Sequence, residues 1–324
     1  MTEQYRSRIA PLPEGGDRPL WSIMIPSYNC AQYLGETLES VLAQDMGTSA
    51  MQIEVVDDAS TDNVHEVVQK IGQGRVSVYQ HAANVGQIAN FTECLRRSRG
   101  NIVHLLHGDD RVRPGFYAAM TSAFHQDPDI GAAFCRWSLI DGDGKLIETM
   151  RQEQPWAGRI PDALACLASE QRITTPSIAV RRSVWETLGS FDSRLECAED
   201  WEMWVRIAAH YPVWYEPAPL AEYRQRPDST TDRNSRSARE LHFTARAIDM
   251  MAPILPAASR AETRKAAREA YARSALEKGH RYYATGDLSA ARAHALAALH
   301  LSRSAGTLLR ALRLGFRTLR ARSL

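Results

Sequence analysis

The stretch from Trp21 to Leu106 alternates short β-rich runs with runs of helical period, and this alternation limits the fold more than any other feature of the chain. Trp21-Ser22-Ile23-Met24-Ile25 is an apolar run stopped by Pro26; Leu34, Leu38, Val41 and Leu42 then recur with the one-sided spacing of an amphipathic helix. Residues 53–56 repeat the strand pattern, and Val64, Val67, Val68 and Ile71 the helical one. A strand at 76–79, a helix carrying Ile88, Phe91 and Leu95, and a strand at 102–106 follow. Apolar strands joined by helix-length crossovers must lie parallel, with the helices covering both faces, so the expected class is α/β with a mostly parallel sheet.

In such open sheets ligands sit beyond the carboxyl ends of the strands. There the chain places Pro26-Ser27-Tyr28-Asn29, Asp57-Asp58-Ala59-Ser60-Thr61-Asp62 and His107-Gly108-Asp109-Asp110. Paired carboxylates after parallel strands can hold Mg²⁺ or Mn²⁺ against a diphosphate, because hard oxygen ligands suit these ions. Asp109-Asp110 is such a pair, and its competing role is to cap the turn into the helix near Pro114. Asp58 is suited to accept a hydrogen bond from a base imide while Tyr28 stacks on the ring; its competing role is an Asx turn.

Past Asp127-Pro128 the pattern is less regular. Residues 131–140 read as a strand, Asp141-Gly142-Asp143-Gly144 as a hairpin turn, 145–149 as its return and 177–180 as a short strand. Ser183 to Glu186 has the spacing of a capping box, and Glu199-Asp200 open a helix whose buried face uses Met203, Trp204 and Ile207. From Ser235 the composition turns to Ala, Arg and Leu, which predicts an all-α extension; residues 282–301 look like one helical hairpin of a tetratricopeptide-like unit.

Composition excludes several classes. With 44% hydrophobic and 24% charged residues the chain is not generally disordered, and 39 Lys+Arg against 38 Asp+Glu argue against a nucleic-acid coat. The five cysteines show no Cys-x-x-Cys spacing, so neither a disulfide framework nor a zinc site is expected, and a reducing, cytoplasmic setting fits. Residues 1–18 lack the apolar segment of a secretory signal, and no run suits a membrane span.

Taken in order, Ser22-Ile-Met-Ile-Pro-Ser-Tyr-Asn-Cys-Ala-Gln-Tyr-Leu, Glu39-Ser-Val-Leu-Ala-Gln, Val55-Val-Asp-Asp-Ala-Ser-Thr-Asp, Asn84-Val-Gly, Gly108-Asp-Asp and Glu199-Asp-Trp resemble family 2 of the inverting glycosyltransferases over residues 21–231. The resemblance implies a GT-A fold, with a flexible segment at 1–20, a glycosyltransferase domain at 21–234 and a helical extension at 235–324. Within that domain it implies a nucleotide-sugar-binding half at 21–127 and an acceptor half at 128–234. It puts Pro26, Tyr28, Asn29 and Asp58 with the nucleotide, Asp109 near the ribose and donor sugar, and Asp110 on a divalent metal. Asp200, beside Glu199, then corresponds to the base that deprotonates the acceptor hydroxyl, and Trp201 is the aromatic residue assigned to the acceptor. The expected activity moves a sugar from a nucleotide-diphosphate donor, UDP favoured, to a glycan or lipid-linked acceptor. Cell-surface polysaccharide or lipopolysaccharide synthesis is the family context.

Two departures stand out. His107 occupies the first place of the Asp-x-Asp pattern, where many relatives have an acid. Arg226 stands two residues after Tyr223-Arg224, where many have a histidine; it is suited to grip the departing diphosphate, unless Pro227 to Asp232 is merely a solvated loop. A nucleotidyltransferase would want a Gly-rich basic loop after the first strand, which is absent; a non-catalytic nucleotide-sugar-binding scaffold is the other alternative. Leu308, Leu309, Leu312, Phe316 and Leu319 share a helical face beside Arg310, Arg313, Arg317 and Arg320, and no acid follows Asp287. Two expectations stay open there: a basic helix lying on anionic lipid, so that the protein is peripheral on a membrane, or a terminal helix packing its leucines on the protein.

Overall fold

The computed structural model describes residues 3–13, 15–16, 18–226 and 230–320, the side chains of 3, 230, 231 and 320 excepted. Residues 227–229 of the expected loop and the Arg320 side chain therefore lie outside the described residues.

The alternation from Trp21 is realised as β1 (Trp21–Ser27), α1 (Ala31–Leu42), β2 (Met51–Asp57), α2 (Val64–Gly72), β3 (Ser77–Gln80), α3 (Gln87–Arg97) and β4 (Ile102–Leu105). Every residue of β1, β2 and β4 is buried, as strands covered on both faces must be, including the polar Gln52, Glu54 and His104. There follow β5 (Arg111–Val112), α4 (Phe116–Gln126), β6 (Ala132–Ile140), β7 (Leu146–Thr149), β8 (Gly158–Arg159), α5 (Ala163–Ser169), β9 (Ile178–Arg181), α6 (Arg182–Leu188), α7 (Glu199–Ala208) and β10 (Val213–Arg224). The sheet runs β3-β2-β1-β4-β9-β6-β10-β5, with β7 on β6 and β8 on β10. Strands β3, β2, β1 and β4 are mutually parallel, β9 enters antiparallel between β4 and β6, and β6 and β10 are again parallel.

Strand β10 has no counterpart in the sequence reading. Pro217 and Pro219 interrupt its pattern, and prolines ordinarily exclude a central strand. The structure accommodates them at register shifts between Glu216 and Pro219 and between Pro219 and Ala221. Ser183 is also inside α6 rather than its cap: the N-cap is Arg181, and no side-chain cap bond forms.

Contact density divides the chain into two compact units. The first comprises Met1–Ala163, Arg172–Glu196 and Arg206–Gln225, the second Leu164–Gln171, Cys197–Val205 and Arg226–Leu324. In the first unit the N-terminal segment, despite having no apolar run, buries Ile9, pairs Arg6 with Asp192 at 3.1 Å, and accepts the Ser190 and Ser193 amides at 2.9 Å on the Ser7 and Tyr5 carbonyls.

The second unit is helical, with α8 (Thr230–Arg236), α9 (Arg239–Met251), α10 (Arg260–Ala284), α11 (Leu288–Leu301) and α12 (Ala305–Arg320). Its core is rich in alanine, including Ala272, Ala275, Ala291, Ala295, Ala298 and Ala311, which lets helices approach closely. A Cβ on Gly279 would stand 2.8 Å from Leu314 Cδ2. The expected hairpin is present: Gly286 takes φ +84° and Asp287 caps α11 by accepting the Ala290 amide at 3.0 Å. Among the described residues no helix is long and apolar enough to cross a membrane. The expectation that the leucines of the last helix pack inward is corrected: Leu314 is buried, whereas Leu308, Leu309, Leu312, Phe316 and Leu319 are exposed.

Candidate active site

In the first unit the register of β1 and β2 sets Ser27 beside Asp57, and the loops that follow are hydrogen-bonded to one another. The Asp58 amide donates to the Ser27 carbonyl at 2.9 Å and the Gly108 amide to the Pro26 carbonyl at 3.0 Å, so the exits of β1, β2 and β4 share one edge. Asn29 adopts φ +47°, a backbone state that asparagine tolerates, and its Oδ1 accepts the Thr61 amide at 2.9 Å. Its own amide donates to Ser60 Oγ at 2.9 Å, and the Ala31 amide donates to Asp62 Oδ2 at 2.8 Å. Tyr28, held on this laced loop, is 49% exposed and keeps a ring face open.

Asp57 and Asp58 divide their work. Asp57 is fully buried and accepts from Ser60 and from Gln80 Nε2, the latter at 2.8 Å, which fixes its own turn. Asp58 accepts the Val85 amide on Oδ1 at 2.7 Å and the Gly86 amide on Oδ2 at 3.0 Å, so it pins the Asn84-Val85-Gly86 loop. Each carboxylate oxygen retains a second acceptor site.

Beyond β4, ligand atoms of His107, Asp109 and Asp110 lie within 4.8 Å of one another. Spacing along the strand does not reveal this grouping, because a turn folds Asp110 back on His107. The Asp110 carboxylate is buried. Oδ1 accepts the Arg224 amide at 2.8 Å, while Oδ2 has no well-formed hydrogen bond and sits 3.4 Å from His107 Nδ1. Burial pushes the Asp110 carboxyl up to about 6; His107 opposes that shift and the neighbouring Asp109 charge adds to it. The His107 ring is oriented by stacking on Phe91 at 5.1 Å. Two carboxylates and an imidazole around an under-satisfied buried oxygen fit a divalent cation.

Three positioning residues escaped the sequence reading. Thr37, on the buried face of α1, lies with Oγ1 2.7 Å from the Asp110 carbonyl and 3.1 Å from that of Gly108. The wholly buried Arg224 side chain donates to the Asp109 carbonyl at 2.8 Å, the Gly142 carbonyl at 3.0 Å and Glu36 Oε2 at 2.7 Å, and lies over the Tyr33 ring. Glu36 also accepts from Arg111 at 2.7 Å. A polar Thr37 at an apolar-face position was the one available signal.

In the second unit Asp200 is half-buried and Glu199 buried at the start of α7, where the helix dipole favours acids. Asp200 Oδ2 accepts from Gln171 Nε2 at 2.8 Å, and the Gln171 amide donates to the Tyr271 hydroxyl at 3.0 Å. Trp201 is 1% exposed; its indole N–H donates to the Leu167 carbonyl at 2.7 Å and its ring lies 5.1 Å from Tyr271. It is a core residue of this unit and presents no open face for sugar stacking, because helical phase turns it away from its neighbour Asp200. Arg226 is half-buried two residues beyond the end of β10. The first unit thus gathers Pro26, Tyr28, Asn29, Asp58, Asp109 and Asp110 along one edge, and Glu199, Asp200, Trp201 and Arg226 fall in the second.

A parallel α/β half with acidic loops at adjacent strand exits, together with a helical region, is the GT-A architecture of nucleotide-sugar transferases. The model of glycosyl transferase family 2 matches residues 22–189, about half of the chain, and the chain belongs to that family. Among curated relatives, the chondroitin synthase of Pasteurella multocida is 26% identical over 191 residues, 59% of this chain but only 19% of that much longer protein. S. aureus TarS 1–349 in complex with UDP-GlcNAc superposes with a TM-score of 0.65 at 15% identity, covering 92% of this chain and 89% of that one. The mannosyltransferase PcManGT of Pyrobaculum calidifontis, in complex with GDP-Man and Mn²⁺, superposes at 0.53 with 21% identity, covering 96% and 89%.

Proposed function

We propose that this glycosyltransferase works with inversion, moving one sugar from a nucleoside-diphosphate donor, a UDP-sugar for preference, to a hydroxyl of a glycan or lipid-linked acceptor in cell-surface polysaccharide or lipopolysaccharide assembly. The observation that carries the reading is the buried Asp110 carboxylate, whose Oδ2 faces His107 beside Asp109 rather than a structural donor. Asp110, with Asp109 and His107, would hold a Mn²⁺ or Mg²⁺ ion; such an ion, when bound, offsets the charge of the donor diphosphate and of the leaving group. Complexes of structural neighbours with UDP-GlcNAc and with GDP-Man and Mn²⁺ support a nucleotide-sugar donor and a divalent cation.

The chain's own groups supply the remaining roles. Tyr28 stacks on the base, and Asp58, besides pinning the Asn84–Gly86 loop, accepts from the base imide with its remaining lone pairs. Asp200 takes the acceptor proton in a single displacement that needs no covalent intermediate, and the amide of Gln171 orients its carboxylate. Glu199, buried beside it, sets the local charge, and Arg226 receives the departing diphosphate by a charge-assisted fork.

The test is binding and slow hydrolysis of UDP-, GDP- and dTDP-sugars with and without Mn²⁺. Asp110→Asn is expected to lose metal-dependent binding, and Asp200→Asn to bind donor without turnover. Failure of every nucleotide-sugar to bind would sink the assignment. Unchanged turnover of Arg226→Ala, with all activity lost in EDTA, would remove Arg226 from the mechanism. His107 at the place of an acid keeps one second reading in view, a non-catalytic nucleotide-sugar-binding scaffold, which predicts binding without hydrolysis by the wild type.

A further inference from the structure

An amphipathic helix at a protein surface ordinarily buries its large apolar side chains. Helix α12 does the opposite. Its inward face is Thr307, Ala311, Leu314 and Thr318, all buried, whereas Leu308, Leu309, Leu312, Phe316 and Leu319 are 41–66% exposed. At 100° per residue, the exposed stripe centres roughly opposite the buried face, and Arg310, Arg313 and Arg317, also exposed, form a row along one flank of it. The helix is not free to roll its leucines inward. Arg292 donates from Nη2 to the Thr318 carbonyl at 2.8 Å and from Nε to Thr318 Oγ1 at 3.2 Å, and Leu314 fills the space that Gly279 leaves open.

We propose that the outward face of α12 docks on an anionic lipid bilayer, with the helix lying in the plane of the headgroups, its leucines and Phe316 at the acyl boundary and its arginines on lipid phosphates. A contiguous apolar stripe of this size on a surface marks an interaction site. The charge beside it selects the occupant, because the sequence has no acid after Asp287 and the arginine row calls for an anionic surface. A second copy of the chain fits less well: an antiparallel helix pair formed through the stripe would set arginine row against arginine row with no acid in either helix to offset them. The inference goes beyond the transfer reading and does not depend on it.

The test uses the full chain and sedimentation with vesicles of phosphatidylcholine alone or mixed with phosphatidylglycerol, at low and high salt. The wild type is expected to bind the anionic vesicles and to release them at high salt. Each arginine near the surface is worth about fivefold in partitioning, so Arg310→Gln/Arg313→Gln/Arg317→Gln should weaken binding about a hundredfold. Leu312→Ser/Phe316→Ser should abolish it. These side chains are exposed, so thermal midpoints are expected to stay at the wild-type value, which separates lost docking from unfolding. No binding by the wild type, or equal binding to phosphatidylcholine alone, overturns the proposal. So does a concentration-dependent dimer that Leu312→Ser/Phe316→Ser dissociates in the absence of vesicle binding. Hydrolysis of a soluble donor is read separately: hydrolysis without docking removes only the docking surface, and docking without hydrolysis removes only the transfer reading.

Discussion

Replacing Arg224 by methionine is the sharpest probe of how the acidic loop is held. The substitution keeps an unbranched apolar stem of similar reach in a site with no solvent exposure, and removes three donors at once, to Asp109 O, Gly142 O and Glu36 Oε2. The carboxylate is not stranded, because Glu36 is 42% exposed and keeps Arg111 at 2.7 Å, so the 3–5 kcal/mol typical of breaking a fully buried pair overstates the cost. What remains is two carbonyls deprived of a charged donor, at about 1–1.5 kcal/mol each, giving a loss of about 3 kcal/mol. For a unit of roughly 200 residues that lowers the thermal midpoint by about 6–12 °C. The Arg224 amide still reaches Asp110 Oδ1, so the fold at that point survives, but the freed Asp109 carbonyl lets the loop drift, and Mn²⁺-dependent donor binding should weaken in step. Arg224→Lys keeps the charge without the fork and is expected to fall about halfway. Differential scanning fluorimetry with and without Mn²⁺ and UDP reads both effects. A midpoint for Arg224→Met within about 2 °C of wild type, with unchanged Mn²⁺ dependence, would refute the reasoning.

Further consequences follow from individual contacts. Thr37→Val removes the hydroxyl that bridges the Gly108 and Asp110 carbonyls at nearly constant volume, and should cost about 1–2 kcal/mol by urea denaturation; a neutral effect would mean that water replaces it. Gly100→Ala places a Cβ within 2.5 Å of the Ser22 amide nitrogen, a backbone atom that cannot yield, so a loss of roughly 3 kcal/mol or insoluble protein is expected, and ordinary expression with a wild-type melt would contradict this. His104 is buried between the Tyr117 hydroxyl and the Pro176 carbonyl, and burial lowers its pKa from 6.5 to about 4. The unfolded state therefore binds the extra proton between those values. Stability should fall as pH drops from 6.5 toward 4, by up to about 3 kcal/mol from this group, and be unaffected by it above 7. The acid limb of a urea-midpoint profile should flatten in His104→Gln; an unchanged slope would assign that limb to other groups.

How much was legible follows from where the information lies. Strands β1, β2 and β4 read directly because burial on both faces fills them mostly with apolar β-formers such as Ile23, Ile25, Ile53, Val55, Val56, Ile102 and Val103, and the polar residues just beyond them stood out by contrast. Strand β10 did not, because its register shifts absorb Pro217 and Pro219 in a way that only its partner β6 specifies. Arg224 was visible as half of a Tyr-Arg pair, but its side-chain acceptors belong to segments some 80 to 190 positions away, and no local pattern encodes such distances. Trp201 illustrates the reverse error: adjacency to Asp200 suggested a shared role, whereas one step along a helix is a turn of about 100° into the core.

The sequence by itself determined the parallel α/β order, the acidic loops at its strand exits and the amphipathic character of the last helix, because periodicity and strand-end chemistry are local properties. Only the tertiary structure decided that His107 joins Asp109 and Asp110, that Thr37 and Arg224 hold that cluster, and that α12 turns Thr307, Ala311, Leu314 and Thr318 inward and its other large apolar residues out. Periodicity defines the two faces of a helix but not which is buried; that choice rests on what the neighbouring helices can accommodate, and the alanine-rich surfaces of α10 and α11 leave room for Ala311 and Thr318 at close approach.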